Sequence, residues 1–442
     1  MMSVQNILIL LLCITAKVHS FTRLGPQALG SLRRVGTECL ASTEATSTGD
    51  VNIELNPLVA SVKISKTVEV FSLVKEMEAA GDVVTSLCVG EPDFPPPKAV
   101  LEAAMDAIQN GETRYTAVTG TADLRNAISD DLKNRKGVYY PPANIVVGNG
   151  AKQCVYQGVL ATCGPGDEVL IPAPFWPSYP EMVALTGATP VIMNTQKEDG
   201  YLVTSKALES ALTDKTKLII FCNPSNPTGG VHSMQRLQEI AQVLEKYPKC
   251  LVLADEIYER LVYEGSCEAF ASVPGMYDRT MTVNGFSKSY AMTGMRLGYL
   301  AAPTKLSKAC TTIQSQLTSC AGSISQAAGV AALTRVSEEE MQQNVEIMRG
   351  KRDFVLSKLA TMEGVTLESP PSGAFYVLPD LSAYYGGDDT TLCIDLLKSK
   401  KLALVPGSSF GAPGTVRISY ATSMEELKTA MEKLQEFLKE SS

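Results

Sequence analysis

"KLIIFCNPSNPTGG", residues 217–230, is an unbroken apolar run that ends in a loop of prolines, glycines and two asparagines. A strand with one face in water alternates apolar and polar side chains. A run without alternation is covered on both faces, which is the pattern of a mostly parallel sheet with helices outside it. Comparable apolar segments recur at 144–148 (NIVVG), 168–172 (EVLIP), 190–193 (PVIM), 250–255 (CLVLAD), 280–284 (TMTVN) and 298–302 (GYLAA), separated by turns and helical stretches. With no internal repeat, these segments predict an α/β fold whose large domain is a mostly parallel seven-stranded sheet. Ligands of such sheets bind beyond the carboxyl ends of the strands, so the loops that follow them are where chemistry is expected.

After about residue 335 the pattern changes. "SEEE" (337–340) offers Ser337 as an N-cap with Glu340 as its capping-box partner, opening a charged helix to about Leu359. Strand candidates at 373–379, 403–407 and 415–421 follow, then an amphipathic helix, "SMEELKTAMEKLQEFLKE". The expected division is a leader over 1–50 and an N-terminal arm with part of a small domain over 51–95. A large domain over 96–335 and a small α+β domain over 336–442 follow, with a cleft between the two.

Composition narrows the function classes. A net charge of −8, with basic pieces no longer than "KNRK" and "RGKR", argues against a nucleic-acid partner. Only two histidines occur, His19 and His232, so a Ser–His–Asp triad or a His-rich zinc site is hard to build. Proton transfer then falls to Lys, Asp, Glu or Tyr. The eleven cysteines are scattered without a C-x-x-C pair, which is neither a metal signature nor a disulfide framework, and no metal is expected. Small buried hydrophobes in a reducing compartment fit them better.

The first fifty residues read as an address. "ILILLLCI" (7–14) is far shorter than the ~20 residues a membrane span needs. "VHS" (18–20) offers a cleavage site after Ser20, and "FTRLGPQALGSLRRVGT" beyond it has three arginines and no acid, a transit-peptide composition. The pair resembles the bipartite plastid leaders of algae with complex plastids. The competing reading is an irregular secretory signal with a linker, and the front end, "MMSVQN", lacks the usual basic residue. No membrane segment is expected in the mature form.

Four strand ends carry candidate chemistry. Lys288 sits in the Gly/Ser/Thr-rich loop after 280–284, with Arg296 eight residues on; the bland reading is a solvated loop lysine. Asp255 ends the strand 250–255, with Tyr258 three residues later; most Asp there are helix N-caps. The functional reading is a carboxylate held in a low-dielectric site to fix a protonated ring nitrogen, as a pyridoxal cofactor requires. The loop 222–230 supplies asparagines that can bond an anionic cofactor oxygen. "VVGNGAKQC" (146–154) is a Gly-rich turn into a helix, too irregular for a dinucleotide fingerprint but suited to one phosphate. Arg417, in the strand candidate 415–421, is either an exposed strand arginine or a fork for a carboxylate.

Taken with "GEPDF" (90–94), "RYTAVTG" (114–120), "PAPFWPSYPE" (172–181), "DEIYE" (255–259), "NGFSKSYAMTGMRLGY" (284–299) and "RISYATS" (417–423), the chain resembles a fold-type I, class I pyridoxal-phosphate aminotransferase. The resemblance is to the prokaryotic-type (Ib) aspartate aminotransferase group, which includes plastid prephenate aminotransferases, and it runs from about residue 55 to the end. It implies that Lys288 forms the Schiff base with pyridoxal 5'-phosphate and moves the substrate proton. Asp255 pairs with the pyridine nitrogen, Asn226 and Tyr258 contact the ring hydroxyl, and Trp176 stacks on the ring. Arg296, the backbone at Gly150 and Ala151, and Ser287 hold the phosphate. Arg417 takes the α-carboxylate beside Gly90, and Lys152 and Thr67 meet the distal carboxylate. It also implies a homodimer in which Tyr115 reaches the neighbouring phosphate. One departure is Met295, where many relatives have Trp; packing without catalytic consequence is expected.

The expected activity is ping-pong transamination between acidic amino acids and 2-oxo acids: aspartate or glutamate with oxaloacetate or 2-oxoglutarate, and prephenate to arogenate. Alternatives on the same fold are a C–S lyase or an aromatic or alanine aminotransferase. An idle pyridoxal-binding regulator is the alternative of a different class. The absence of a DNA-binding extension or basic patch argues against it.

Overall fold

Strand order is what carries the separate loops to one place. The computed structural model describes residues 54–60, 62 and 66–441, so the leader read over 1–50 lies outside it. After a two-residue strand β1 (Thr85–Ser86), the chain lays down β2 (Ile145–Gly148), β3 (Glu168–Ala173) and β4 (Thr189–Asn194). Then come β5 (Thr216–Cys222), β6 (Leu251–Asp255), β7 (Thr280–Gly285) and β8 (Gly298–Ala301). These seven pair in the order β2-β8-β7-β6-β5-β3-β4. All neighbours are parallel except at β8, which runs antiparallel to both β2 and β7. The carboxyl ends of the other six therefore share one edge.

The apolar runs are explained by what covers them. Along β5, Leu218 and Ile220 enter one core cluster while Ile219 and Phe221 enter another, on the opposite face. Helix Ala151–Thr162 supplies Cys154, Val155 and Val159 to the first cluster, and helix Met234–Glu245 supplies Leu237, Ile240 and Leu244 to the second. Each buried Leu or Ile contributes about 1.5–3 kcal/mol, so a polar side chain on either face of β5 would cost the sheet.

A further apolar cluster surrounds a smaller antiparallel sheet. Its strands are β9 (Tyr376–Val377), β11 (Val405–Pro406) and β12 (Val416–Ser419), in the order β11-β12-β9, while β10 (Leu402–Ala403) pairs with β1. Helices Glu338–Leu359 and Met424–Glu440 pack on it. Ser337 Oγ accepts from the Glu340 amide at 3.1 Å, as its position before the acidic run foretold. A further helix, Asp389–Lys400, lies where no element was expected; Asp388 caps it through the amides of Thr390 and Thr391. Helix Lys66–Ala79 buries Val70 and Val74 against Leu397, Val405 and Phe410. The arm before the main sheet thus packs on the small sheet.

Behind the strand ends lies a buried ion cluster. Glu259 accepts from both terminal nitrogens of Arg135, at 2.5 and 2.7 Å, and Arg135 also bonds Asp131. Burial would raise the Glu259 carboxyl, but the Arg135 and Lys136 charges outweigh it and bring it to about 2. The cluster ties the segment Asp255–Arg260 to helix Ala122–Lys136.

Candidate functional site

A cavity of 410 Å³ opens at the shared carboxyl edge. Lys288 reaches it from the loop after β7, Asp255 from the end of β6, Asn226 from the loop after β5 and Trp176 from the loop after β3. Arg417 projects from β12 of the small sheet, so the cavity lies between the two sheets.

Lys288 Nζ donates to the Gly90 carbonyl at 2.5 Å. Burial lowers its amine to about 8, against the opposing charge of Glu91. At neutral pH that leaves far more free amine than an ordinary lysine has, and the free amine is the form that attacks an aldehyde or takes a proton.

Asp255 is buried at 4 % exposure. Burial raises its carboxyl to about 6, opposed by hydrogen bonds from the Tyr179 hydroxyl at 2.7 Å and the Ile257 amide at 3.4 Å. A carboxylate strained in this way gains most from a cationic N–H placed beside it.

The turn from β2 into helix Ala151–Thr162 has the features of an anion site. Gly150 has φ +89°, and a Cβ there would lie 2.4 Å from Arg296 Nη2. A Cβ on Gly298 would lie 2.4 Å from the Ala151 amide nitrogen. Only glycines let the guanidinium come down over the helix N-terminus, where free amides and the dipole favour an anion. Arg296 itself holds φ +49°, a left-handed conformation that costs a non-glycine residue roughly 1–3 kcal/mol, and it lines the mouth of the cavity while staying exposed. Its Nη1 donates to Thr293 O at 2.9 Å. Ala151 and Ser287 line the cavity as well, and Lys152 lies with Nζ 5.1 Å from the Trp176 ring centroid.

Arg417 is 5 % exposed and so is not an exposed strand arginine. Its Nη1 donates to Asn226 Oδ1 at 3.1 Å and its Nη2 to Cys88 O at 2.6 Å, while Nε is buried with no hydrogen-bond partner among the described residues. The rings of Tyr376 and Phe410 sit 4.5 and 4.8 Å from its guanidinium carbon. A fork held this stiffly loses little freedom on taking a carboxylate.

The fold therefore gathers Lys288, Asp255, Tyr258, Asn226, Trp176, Arg296, Ala151, Ser287, Lys152, Gly90 and Arg417 around one space, with Gly150 behind the anion end. Tyr115 is elsewhere, 90 % exposed on the surface. Thr67 belongs to helix Lys66–Ala79, but its side chain lies outside the described residues. Met295 is partly buried against the core. Sequence reasoning missed Tyr179, Tyr376 and Phe410. Tyr179 was visible as the tyrosine three residues after Trp176; nothing in the sequence tied Tyr376 or Phe410 to Arg417.

The residues fit pyridoxal phosphate: an amine for its aldehyde, a strained carboxylate for its ring nitrogen, and a glycine-cleared cradle under an arginine for its phosphate. Comparison with known proteins points the same way. The family model "Aminotransferase class I and II" matches residues 82–434. The bifunctional aspartate aminotransferase and glutamate/aspartate-prephenate aminotransferase of Petunia hybrida is 45% identical over 436 residues, 96% of this chain and 91% of that protein. The aspartate aminotransferase of Pinus pinaster is 47% identical over 91% of this chain and 86% of its own length. Among solved structures, the aspartate aminotransferase of Rhizobium meliloti superposes with a TM-score of 0.85 at 37% identity, covering 88% of this chain and 100% of that one.

Proposed function

This chain belongs to the class I and II aminotransferase family, and from that premise we propose that it moves amino groups between acidic amino acids and 2-oxo acids. The donors are aspartate or glutamate, and the acceptors are oxaloacetate, 2-oxoglutarate or prephenate. It is a pyridoxal-phosphate enzyme. The observation that carries the substrate reading is the lining of the cavity, to which Arg417 and the Lys152 ammonium both contribute a cation beside the Lys288 amine.

When bound, pyridoxal phosphate supplies the aldehyde that takes up nitrogen and the conjugated ring that holds the electron pair. Arg417 binds the substrate's α-carboxylate in two parallel hydrogen bonds. Lys288 Nζ accepts the proton released from the α-carbon and returns it during product formation. Asp255 holds a proton at the ring nitrogen, and its partner Tyr179 fixes the carboxylate plane. Arg296 and the amides at Gly150 and Ala151 hold the phosphate, with Ser287 beside them, while Trp176 and Asn226 orient the ring.

Every α-amino acid presents the same carboxylate to Arg417, so selectivity comes from what meets the other end. Lys152 is a compact charge on a flexible stem, which suits distal carboxylates at more than one distance; Thr67 is its proposed partner. Partial burial and then the Arg296 charge lower the Lys152 amine, so an incoming carboxylate relieves a cation crowded by its neighbour. Lys152→Ala is expected to lower kcat/KM for dicarboxylic substrates by roughly 1.5–3 kcal/mol and to leave monocarboxylic 2-oxo acids nearly unchanged. A panel of 2-oxo acids assayed with both proteins reads this directly. Equal losses in the two classes would remove the specificity argument, and absence of any transamination in the panel would remove the function.

The proposed assembly is a homodimer with Tyr115 completing the partner's phosphate site. Its support is the 90 % exposure of Tyr115 together with exposed Leu101, Met105 and Ile108 on one side of helix Lys98–Gln109. Mixing Tyr115→Ala with Lys288→Ala under subunit exchange should regenerate activity absent from either alone; a mixture as inactive as its components excludes shared sites. Residues 1–50 are proposed as a plastid leader on their composition. Secretion of a reporter fused to them would count against that.

A further inference from the structure

Two of the buried phenols that line the cavity share one hydrogen bond. Tyr258 Oη and Tyr376 Oη lie 3.0 Å apart, and neither hydroxyl has another hydrogen-bond partner among the described residues. The residues are 4 % and 2 % exposed. Two hydroxyls carry two hydrogens, and one contact uses only one of them. The remaining hydrogen is free to be given to whatever occupies the cavity, and which oxygen keeps it depends on which phenol donates.

Three observations decide the direction. Arg417 lies over the Tyr376 ring at 4.5 Å, and a cation on a ring face draws density from the ring and acidifies its hydroxyl. Burial raises both phenols, but the Arg417 charge is the first influence opposing it at Tyr376 and only a minor one at Tyr258. The more acidic phenol is the better donor. Finally, the Tyr376 hydroxyl is pinned from behind: a Cβ on Gly90 would lie 1.9 Å from its oxygen, so the ring is seated in a slot that only glycine leaves open.

We propose that Tyr376 is a positioning residue, which donates its hydroxyl hydrogen to Tyr258 Oη and so leaves the Tyr258 hydrogen aimed into the cavity for an anionic oxygen of the bound cofactor. This rests on the reading of the cavity as a pyridoxal site. A hydroxyl that accepts one hydrogen bond is a stronger donor of its own hydrogen. With pyridoxal phosphate bound, this hydrogen bond would stabilise the anionic oxygen and loosen the proton that titrates with the visible band. Removing the Tyr376 hydroxyl weakens that chain, so the proton is held more tightly.

The test is a pH titration of the visible absorption band of the pyridoxal-loaded enzyme. Tyr376→Phe is expected to move the midpoint upward by about one pH unit, a roughly tenfold change in proton affinity. On a Tyr258→Phe background the same substitution should move nothing further, because the route runs through Tyr258. Gly90→Ala displaces the Tyr376 hydroxyl without altering the tyrosine. It should shift the midpoint in the same direction in the wild type and not in Tyr376→Phe. An unmoved midpoint in Tyr376→Phe overturns the inference, as do shifts that add independently in the double variant. Should Tyr376→Phe fail to fold, an unmoved Gly90→Ala titration overturns it. A protein with no visible band at all overturns the pyridoxal reading instead, so the two failures are distinct.

Discussion

Lys288→Ala is expected to fold, to hold its cofactor noncovalently, and to turn over at least ~10⁴-fold more slowly than the wild type. The magnitude is the upper range for a positioned acid–base group, with the loss of a covalent nucleophile added to it. Folding should survive because the side chain ends in an open cavity, so truncation leaves no packed void. It also removes an amine that burial disfavours when charged. The cofactor-free variant should therefore melt no lower than the cofactor-free wild type. Single-turnover absorbance with aspartate gives the rate, and calorimetry the stability. A variant within tenfold of the wild-type rate would show that Lys288 is not the proton carrier.

The second large effect separates function from stability at Asp255. In the cofactor-free protein, burial raises this carboxyl from 3.8 to about 6. Between those values the folded state binds more protons than the unfolded chain, so stability falls as pH rises through the window. Above it the full cost, roughly 3 kcal/mol as an upper bound, is carried by the fold. Asp255→Asn removes the charge while Tyr179 can turn its hydroxyl from donor to acceptor. The cofactor-free variant should melt higher than the wild type at pH 8 and equally at pH 4. Its kcat should fall by about 10²–10³-fold, the usual loss on removing one preorganised electrostatic partner. If the variant is instead less stable at pH 8, the carboxylate is not strained and its proposed pairing with a ring cation loses its physical basis.

Much of the site could be read from the sequence, because its residues sit just past strands that announce themselves. Asp255 closes an apolar run, Asn226 lies four residues past another, and Gly150 breaks a third before a helix. What escaped was whatever depends on a contact between distant segments. Tyr376 and Phe410 flank Arg417 from β9 and from the turn Gly407–Phe410, positions whose relation to β12 no local pattern encodes. Helix Asp389–Lys400 escaped for a different reason. Its capping Asp388 follows two glycines and its apolar residues are interrupted by Thr, Asp and Lys, so the helical period was masked.

The sequence by itself determined the covered, mostly parallel sheet, since runs such as 217–222 tolerate no wet face, and it determined the chemical inventory at the strand ends. Tertiary structure alone decided the ionisation of that inventory. An isolated loop lysine or a strand-end aspartate titrates like any other. Lys288 is brought to about 8 and Asp255 to about 6 only because the small sheet and the Cys88–Gly90 segment close over them and remove water. Desolvation is a property of everything packed around a group, and residues from more than three hundred positions apart contribute to it here, as the Arg417–Cys88 hydrogen bond across the cavity shows.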